Sequence, residues 1–407
     1  MCIMNDFLNN YRKASLLQKK GNFESAKKIF EDLLKKTSKD NIKANIYYHL
    51  SQIEASTRKK VDLLEKALAL NPSHRMAHIL LNLLQEDYVQ KRLENDSSYV
   101  IKQFFEKYPL NIQIQTISGC NAKCKMCPYH SSWQKFNPGK MSDKTFLHII
   151  ELLNSIPLGK VCLYLENEPF LDKKIIEKIR IVKENLHYKL IELSTNLSMF
   201  NERLIKELYN VLKDTPHELW ISWHGIDENT YRNIMGFDFK KNIEKLKLYF
   251  SITKGELNTS INSIIGSKLN ESRIESEDKV KVFFNDIIKS VGIDPKKIKL
   301  KIKTFYYHDR AGNINEKITN NKISEMIGKL KPYCARIREW LHFMYDGDVI
   351  LCCMDYKKET VMGNVNEFSS LEDLLISKRF VRIQKMALGE IESNENFICK
   401  RCTSPGG

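Results

Sequence analysis

Cys120, Cys124 and Cys127 stand in the run C-N-A-K-C-K-M-C, directly after the alternating stretch 111–118, and no other feature constrains this chain as much. Three thiols within eight residues, with gaps of three and then two, can bind an iron–sulfur cluster. A four-iron cluster held entirely by protein needs four cysteines. Three leave one iron open, and an open iron can take a substrate or a second cofactor. A structural zinc knot is the competing reading, although zinc sites favour four ligands in C-x2-C pairs.

The 407 residues suffice for two or three domains with sizeable cores. At 42% hydrophobic and 28% charged the composition is globular, and no apolar run approaches the length of a membrane span. The opening Met-Cys-Ile-Met-Asn-Asp lacks the basic-then-apolar order of a signal peptide. Ten cysteines without an export signal point to metal ligation in a reducing cytoplasm rather than to disulfides. The net charge of +15 would permit nucleic-acid binding, but the lysines are scattered over exposed helix faces, as at Lys27-Lys28, Lys35-Lys36 and Lys59-Lys60. That scatter argues against nucleic acid as a partner.

Between Asn111 and Tyr307 strand-like and helix-like runs alternate six times, which predicts a parallel α/β architecture. The predicted strands are 112–118, 160–168, 189–196, 217–224, 258–265 and 297–306. Amphipathic stretches such as 143–154, 172–185 and 202–213 lie between them. Strand polarity carries more information than strand number. Ile112/Ile114 alternate with Gln113/Gln115, Ile191/Leu193 with Glu192/Ser194/Asn196, and Ile221/Trp223 with Ser222/His224; Ser260/Asn262 continue the polar series. A solidly packed (β/α)8 barrel fills its lumen with branched apolar residues. Polar inner faces instead predict an open barrel that holds a polar ligand. On the last strand Lys297, Lys299, Lys301 and Lys303 alternate with apolar residues; they suit either an anionic substrate group or a solvated edge.

The first hundred residues repeat with a period of 34: Ala26, Phe30 and Leu33 align with Lys60, Leu64 and Ala67. Gly21 and Phe23 occupy the turn between helices, and Pro72 closes the second unit. The period and the small–aromatic–small pattern resemble tetratricopeptide repeats. Such repeats imply a groove that docks a peptide or carrier, or else a helical cap or dimer surface. A linker near Glu94–Ser98 and one further helix ending before Pro109 are expected.

The C-x3-C-x2-C loop resembles that of the radical S-adenosylmethionine (radical SAM) superfamily, where Met126 fits the large apolar residue usual before the third cysteine. The resemblance implies a partial (β/α)6 barrel, a 4Fe-4S cluster on Cys120, Cys124 and Cys127, and SAM chelated by the open iron. It also implies cleavage of SAM to a 5′-deoxyadenosyl radical, with a flavodoxin or ferredoxin as electron donor. Glu166-Asn167-Glu168-Pro169 matches the family's G-G-E-P segment with both glycines replaced, leaving Glu168 to face the SAM amino group beside Asn167. Ser194-Thr195-Asn196 resembles the S-T-N segment that touches the SAM ribose or methionyl part. Ser222 and His224 stand where the family commonly has Ser-x-Asp, so His224 is free for substrate binding, proton transfer or plain packing. The run Asp227–Gly236 resembles a recurring segment after that strand.

Cys334, Cys352, Cys399 and Cys402 form a second set. Their pattern, C-x12-G-x4-C followed by C-x2-C, resembles the twitch domain, a short relative of SPASM domains, and implies one auxiliary 4Fe-4S cluster. Zinc is the alternative, and Cys353 could replace Cys352 as ligand. Gly347 fits a hairpin turn before Val349–Leu351. Cys162 shares strand parity with Tyr164, Glu166 and Glu168. It reads either as a lumen thiol that returns a hydrogen atom to a substrate radical, or as a small buried hydrophobe.

The expected organisation is an α/β protein with a helical repeat domain at 1–96, a radical SAM core at 97–310 and a twitch domain at 311–407. The expected activity is oxidation, cross-linking or epimerisation of a peptide, protein or carrier-bound substrate. Dehydrogenation or epimerisation of a sugar or aminocyclitol is the alternative. A non-catalytic iron–sulfur scaffold, which would not bind SAM, is the distant one.

Overall fold

The computed structural model describes residues 2–72, 74, 76–77, 80–81, 110–132, 137–264, 276–305, 310–314, 334–389 and 391–402. The expected linker near Glu94 and the helix before Pro109 lie outside the described residues. The chain divides into two compact units, Met1–Val100 and Ile101–Gly407.

In the first unit four helices, Cys2–Lys19, Phe23–Lys36, Asp40–Ile53 and Thr57–Leu70, pair in sequence order. Gly21, at φ +77°, supplies the left-handed turn between the first two. Ala26, Phe30 and Leu33 share one helix face and are buried, and so are Leu64 and Ala67 one period later. At the first of the three aligned positions Lys60 is half-buried where Ala26 is fully buried. The unit is helical, as the period predicts.

The second unit is built on one nine-stranded sheet. Its strands are β1 (Leu110–Ile114), β4 (Leu158–Cys162), β5 (Tyr188–Thr195), β6 (His217–Ser222), β7 (Thr259–Ile264), β8 (Leu300–Phe305), β9 (Trp340–Phe343), β10 (Asp348–Ile350) and β11 (Val361–Asn364). A separate ribbon pairs β2 (Ile117–Ser118) with β3 (Gly139–Lys140). The order across the large sheet is β11-β10-β9-β1-β4-β5-β6-β7-β8, parallel from β9 through β8. Helices between the parallel strands cover one face. In Glu202–Leu212 the buried residues Ile205, Leu208 and Leu212 recur at helical spacing, and the Asn201 side chain caps the first turn by accepting from Leu204 N at 3.0 Å. Each such apolar side chain contributes about 1.5–3 kcal/mol on burial.

The alternation read in the strands is realised. Ile112, Ile114, Ile191, Leu193, Leu219, Ile221, Trp223 and Ile261 are all buried, and Trp223 packs among Tyr231, Phe239, Phe283 and Phe284 of the covering helices. Predicted strand 112–118 divides, ending in the sheet at Ile114 with 117–118 in the ribbon, and predicted strand 217–224 ends at Ser222. Two more strands are shorter than expected. The stretch 160–168 stops at Cys162, because Leu165 N donates to Asn167 Oδ1 (3.0 Å) and Glu168 N to Gly119 O (2.8 Å), which turns the chain off the sheet. The stretch 297–306 opens with a 3-10 turn at Pro295–Lys297, so only Lys301 and Lys303 lie on β8. Their fates differ. Lys301 is exposed on the edge strand, and Lys303 turns back to Glu218 at 2.6 Å.

Beneath the turn after Pro169, Asp172 is buried between Lys178 (2.7 Å, itself buried) and Lys140 (2.8 Å). Burial alone would raise the Asp172 carboxyl, but the hydrogen bonds from Lys140 and Lys178 outweigh it and hold the carboxyl below its usual range. Its stabilising contribution is therefore present above the unfolded pKa, near 4, and lost as pH falls below it. Asp172→Ala leaves Lys178 buried without a counter-charge and is expected to lower stability by about 3–5 kcal/mol in urea unfolding at pH 7. The gap between variant and wild type should narrow as the pH is taken below about 4.

Candidate active site

The cysteine loop leaves β2 at Gly119 and closes at Cys127, whose N–H donates to Cys124 O at 3.0 Å. It is strapped to the helix Glu228–Met235: Lys123 N and Lys125 N donate to Met235 O and Ile234 O, each at 3.0 Å. Gly236 ends that helix at φ +78°, and a Cβ there would stand 2.9 Å from Lys123 Cβ. Only glycine lets helix end and loop meet this closely. The His130 ring donates to Ala122 O at 2.6 Å and holds the loop from the other side. Met126 is buried in the main core, which anchors the loop between its second and third cysteines.

Burial pushes the Cys120 thiol up to about 12 and raises Cys124 and Cys127 as well; the charges of Cys127 and Cys120 further raise Cys124. Three grouped thiols in such surroundings keep their protons alone and give them up to a bound metal. Among the described residues no three His, Cys, Asp or Glu side chains are drawn together as a single metal ion requires. A four-iron cluster takes each cysteine on a different iron. The donor set, three soft sulfurs and no fourth, fits such a cluster with one open iron.

The rim beside the loop is organised by Glu168. Its carboxylate is buried and accepts from Thr195 Oγ1 (2.8 Å), Asn196 N (2.7 Å) and Phe170 N (3.2 Å). Burial lifts its pKa to about 7 against these hydrogen bonds. It is therefore not an exposed acidic loop residue. Asn196 Nδ2 donates to Asn121 Oδ1 (3.0 Å) and approaches Cys120 Sγ (4.0 Å), joining the end of β5 to the cysteine loop. Asn167 accepts from Leu165 N, while its Nδ2 is buried with no hydrogen-bond partner among the described residues. Ser194 on β5 is in register with Trp220 and Ser222 on β6 with Asn262; both serines are half-buried on the inner face. His224 is buried just past β6, its ring edge against Phe305 at 5.9 Å. Burial and the Arg310 charge hold its pKa down to about 3, so the ring is neutral, and its Nδ1 has no partner among the described residues.

Deeper in the lumen lies a set of paired charges. Glu192 accepts from Lys160 Nζ (2.6 Å), from the Tyr164 hydroxyl and from Cys162 Sγ (3.7 Å). Glu218 accepts from Lys303 Nζ (2.6 Å) and from the Ser260 hydroxyl. Lys303 Nζ lies 4.4 Å from the Trp220 ring centroid and Lys160 Nζ 5.9 Å from it. Cys162 is fully buried beside this network.

The second cysteine set gathers on the far edge of the same sheet. Gly347 makes the turn from β9 to β10 at φ +90°, where a Cβ would meet Asn366 Nδ2 at 2.4 Å and Asn364 Oδ1 at 2.9 Å. The hairpin read from the sequence is thus present. Arg336 lies beside Cys353, Cys352, Cys334 and Cys402; burial works against its charge, but those four sulfurs raise its pKa. Cys399 sits in the short helix Ile398–Arg401, three residues before Cys402. Cys352 and Cys353 share a hydrogen bond that lowers Cys353 and raises Cys352. The charge of Cys353 also acts to raise Cys162 and Tyr164. Thr195, Glu192, Tyr164 and Lys160 went unassigned in the sequence. Thr195 was inside the S-T-N run, and the other three lay on the polar face of predicted strands.

Residues 114–278 match the family model described as the radical SAM superfamily, and residues 334–403 match an iron–sulfur cluster-binding domain, SPASM. The chain carries a radical SAM domain and a SPASM domain. No curated protein matches it. SuiB of Streptococcus suis, in its structure bound to precursor peptide SuiA, is 13% identical, covers 89% of this chain and 88% of its own, and has a TM-score of 0.51, a likeness of fold. The protein anSMEcpe, with bound AdoMet and the Cp18Cys peptide, is 18% identical over 72% of this chain and 90% of its own, TM-score 0.46. BtrN, in complex with AdoMet and 2-DOIA, is 15% identical over 73% and 93%, TM-score 0.46. The cofactors of this radical SAM enzyme are SAM and two 4Fe-4S clusters. Among the described residues no helix is long and apolar enough to cross a membrane.

Gly236→Val should push the helix end off the cysteine loop. The expected result is loss of the first cluster alone, from about eight irons per reconstituted chain to about four. Iron and sulfide counts on the anaerobically reconstituted protein check this.

Proposed function

We propose that this enzyme abstracts a hydrogen atom from a peptide or protein substrate held in the polar lumen and completes an oxidation there. When bound, the first cluster and SAM supply a 5′-deoxyadenosyl radical, and the auxiliary cluster supplies an electron acceptor. One observation carries the reading: β9 of the SPASM domain pairs with β1 of the radical SAM domain, residue for residue from Asn111↔Trp340 to Ile114↔Phe343. The strand that precedes the cysteine loop and the strand that enters the second cysteine set are thus neighbours in one sheet.

Cys120, Cys124 and Cys127 would hold the first cluster, and Cys334, Cys352, Cys399 and Cys402 the auxiliary one. Cys352 rather than Cys353 completes the C-x12-G-x4-C spacing and would be the ligand of that pair. Glu168, Asn167, Ser194, Asn196 and Ser222 would orient SAM, with the free Nδ2 of Asn167 as a ready donor. Neutral His224 would contact the substrate. A peptide suits the reading because SuiB and anSMEcpe bind peptides in the structures named above, and because the helical first unit offers a docking module. A flavodoxin or ferredoxin would deliver the electron that starts the cycle.

A sugar or aminocyclitol is the second reading. It is favoured by Trp220 with Lys303 over its ring and Lys–Glu pairs nearby, an arrangement that suits hydroxyl-rich rings.

Anaerobic reconstitution followed by dithionite, SAM and candidate peptides tests the proposal. About eight irons and peptide-stimulated 5′-deoxyadenosine are expected; the Cys120/Cys124/Cys127→Ala variant should keep about four irons and cleave no SAM. Iron without any SAM cleavage would instead favour the scaffold. Cys162 decides between oxidation and epimerisation. If it returns hydrogen, product formed in D2O carries one deuterium at the inverted carbon, and Cys162→Ala gives none. Unlabelled product two hydrogens lighter supports oxidation.

A further inference from the structure

His342 lies on β9, fully buried, and neither of its ring nitrogens has a hydrogen-bond partner among the described residues. Buried polar side chains are rarely left so, and two orphaned nitrogens on one ring call for a group that the fold itself does not supply. The register shows where that group would sit. His342 pairs with Gln113 on β1, and Gln113 pairs with Cys162 on β4, which in turn pairs with Glu192 on β5. Laterally paired residues share a face of a sheet. His342, Gln113, Cys162 and Glu192 therefore form one polar row across four strands of the inner face. Gln113 is buried too, and its Nε2 makes only a long contact, 3.5 Å, to Tyr164 O.

The chemistry of the missing group follows from the ring. Burial and the Arg336 charge keep the imidazole neutral, with its pKa near 3. A neutral imidazole offers one N–H and one lone pair. A carboxylate would satisfy only the N–H, and an ammonium or a metal cation only the lone pair. The stacked Trp340 ring, 6.1 Å away and nearly parallel at 5°, fixes the imidazole plane. What remains is an uncharged group that both donates and accepts.

We propose that His342 and Gln113 form a substrate subsite that receives a backbone or side-chain amide of the substrate, beside Cys162. The assignment rests on the peptide reading above. It deepens that reading by naming the group recognised and the strand pair, β1 and β9, that recognises it. The subsite exists only because the SPASM domain extends the radical SAM sheet, so neither domain alone would hold it.

The test uses the reconstituted enzyme and two variants. His342→Phe removes both nitrogens at similar volume, and His342→Gln restores one donor and one acceptor. Iron content and substrate-free 5′-deoxyadenosine formation serve as controls and should match wild type in both. With a peptide that stimulates wild type, His342→Phe should raise KM about tenfold or more, and His342→Gln should recover most of the loss. An unchanged KM in His342→Phe overturns the subsite while leaving the peptide reading intact. If no peptide stimulates wild type, the peptide reading fails, and the same variants are assayed with polyols and aminocyclitols. A raised KM there assigns the subsite to a hydroxyl, and an unchanged one overturns it. A crystal structure of the reconstituted enzyme gives the substrate-free readout. Ring nitrogens bonded to water or open to the lumen support the subsite; both nitrogens bonded to protein or to the auxiliary cluster overturn it.

Discussion

Strand β1 is hydrogen-bonded along both edges, to β4 on one side and to β9 on the other, and the functional parts of the second unit depend on that double pairing. A strand paired on both sides cannot slip register without turning its buried isoleucines outward. Ile112 and Ile114 therefore lock Gln113 and Gln115 onto the inner face, and the chain leaves β1 at one place and in one direction. The cysteine loop begins two residues beyond the ribbon that follows. Cys334 and Cys352 flank the β9–β10 hairpin on the other edge. The separation between the cysteine loop and that hairpin is thus governed by backbone hydrogen bonds.

A second constraint is polar and local. Glu168 joins three pieces that are far apart in sequence: its N–H meets the start of the cysteine loop at Gly119, and its carboxylate meets Thr195 and Asn196 at the end of β5. Replacing both glycines of a G-G-E-P segment by Glu166 and Asn167 leaves this linkage in place, because it uses the Glu168 backbone and carboxylate alone. Asp172, four residues on, pins the following turn through two lysines. The rim beside the cysteine loop is therefore held mainly by buried hydrogen bonds, and the sheet behind it by apolar packing. The Glu168 and Asp172 carboxylates tolerate burial because their oxygens are matched.

Legibility in the sequence followed the range of each interaction. Strand polarity could be read because side chains alternate every two residues, a purely local rule. The cysteine loop, the β9–β10 turn at Gly347 and the 34-residue helical period were legible for the same reason. Strand ends were less so: 160–168 looked continuous until Asn167 and Glu168 were seen to bend it. Glu192, Tyr164 and Lys160 carried no motif, since what makes them a set is convergence from two neighbouring strands. His342 carried none either. A histidine between Leu341 and Phe343 looks like any strand residue, and only the fold shows that its two ring nitrogens have no partner among the described residues.

The sequence by itself determined the chemistry this protein can host: three thiols in one loop and four more spread from Cys334 to Cys402, an inner face of polar residues, and a helical leading unit. Those properties reside in residue type and short spacing, so they survive without coordinates. Only the tertiary structure decided that β9 continues the sheet of β1. It also sent Lys303 inward to Glu218 while Lys301 faces solvent, and it placed His342, Gln113, Cys162 and Glu192 in one row. Parallel pairing joins strands more than two hundred residues apart, and nothing local in either strand names its partner.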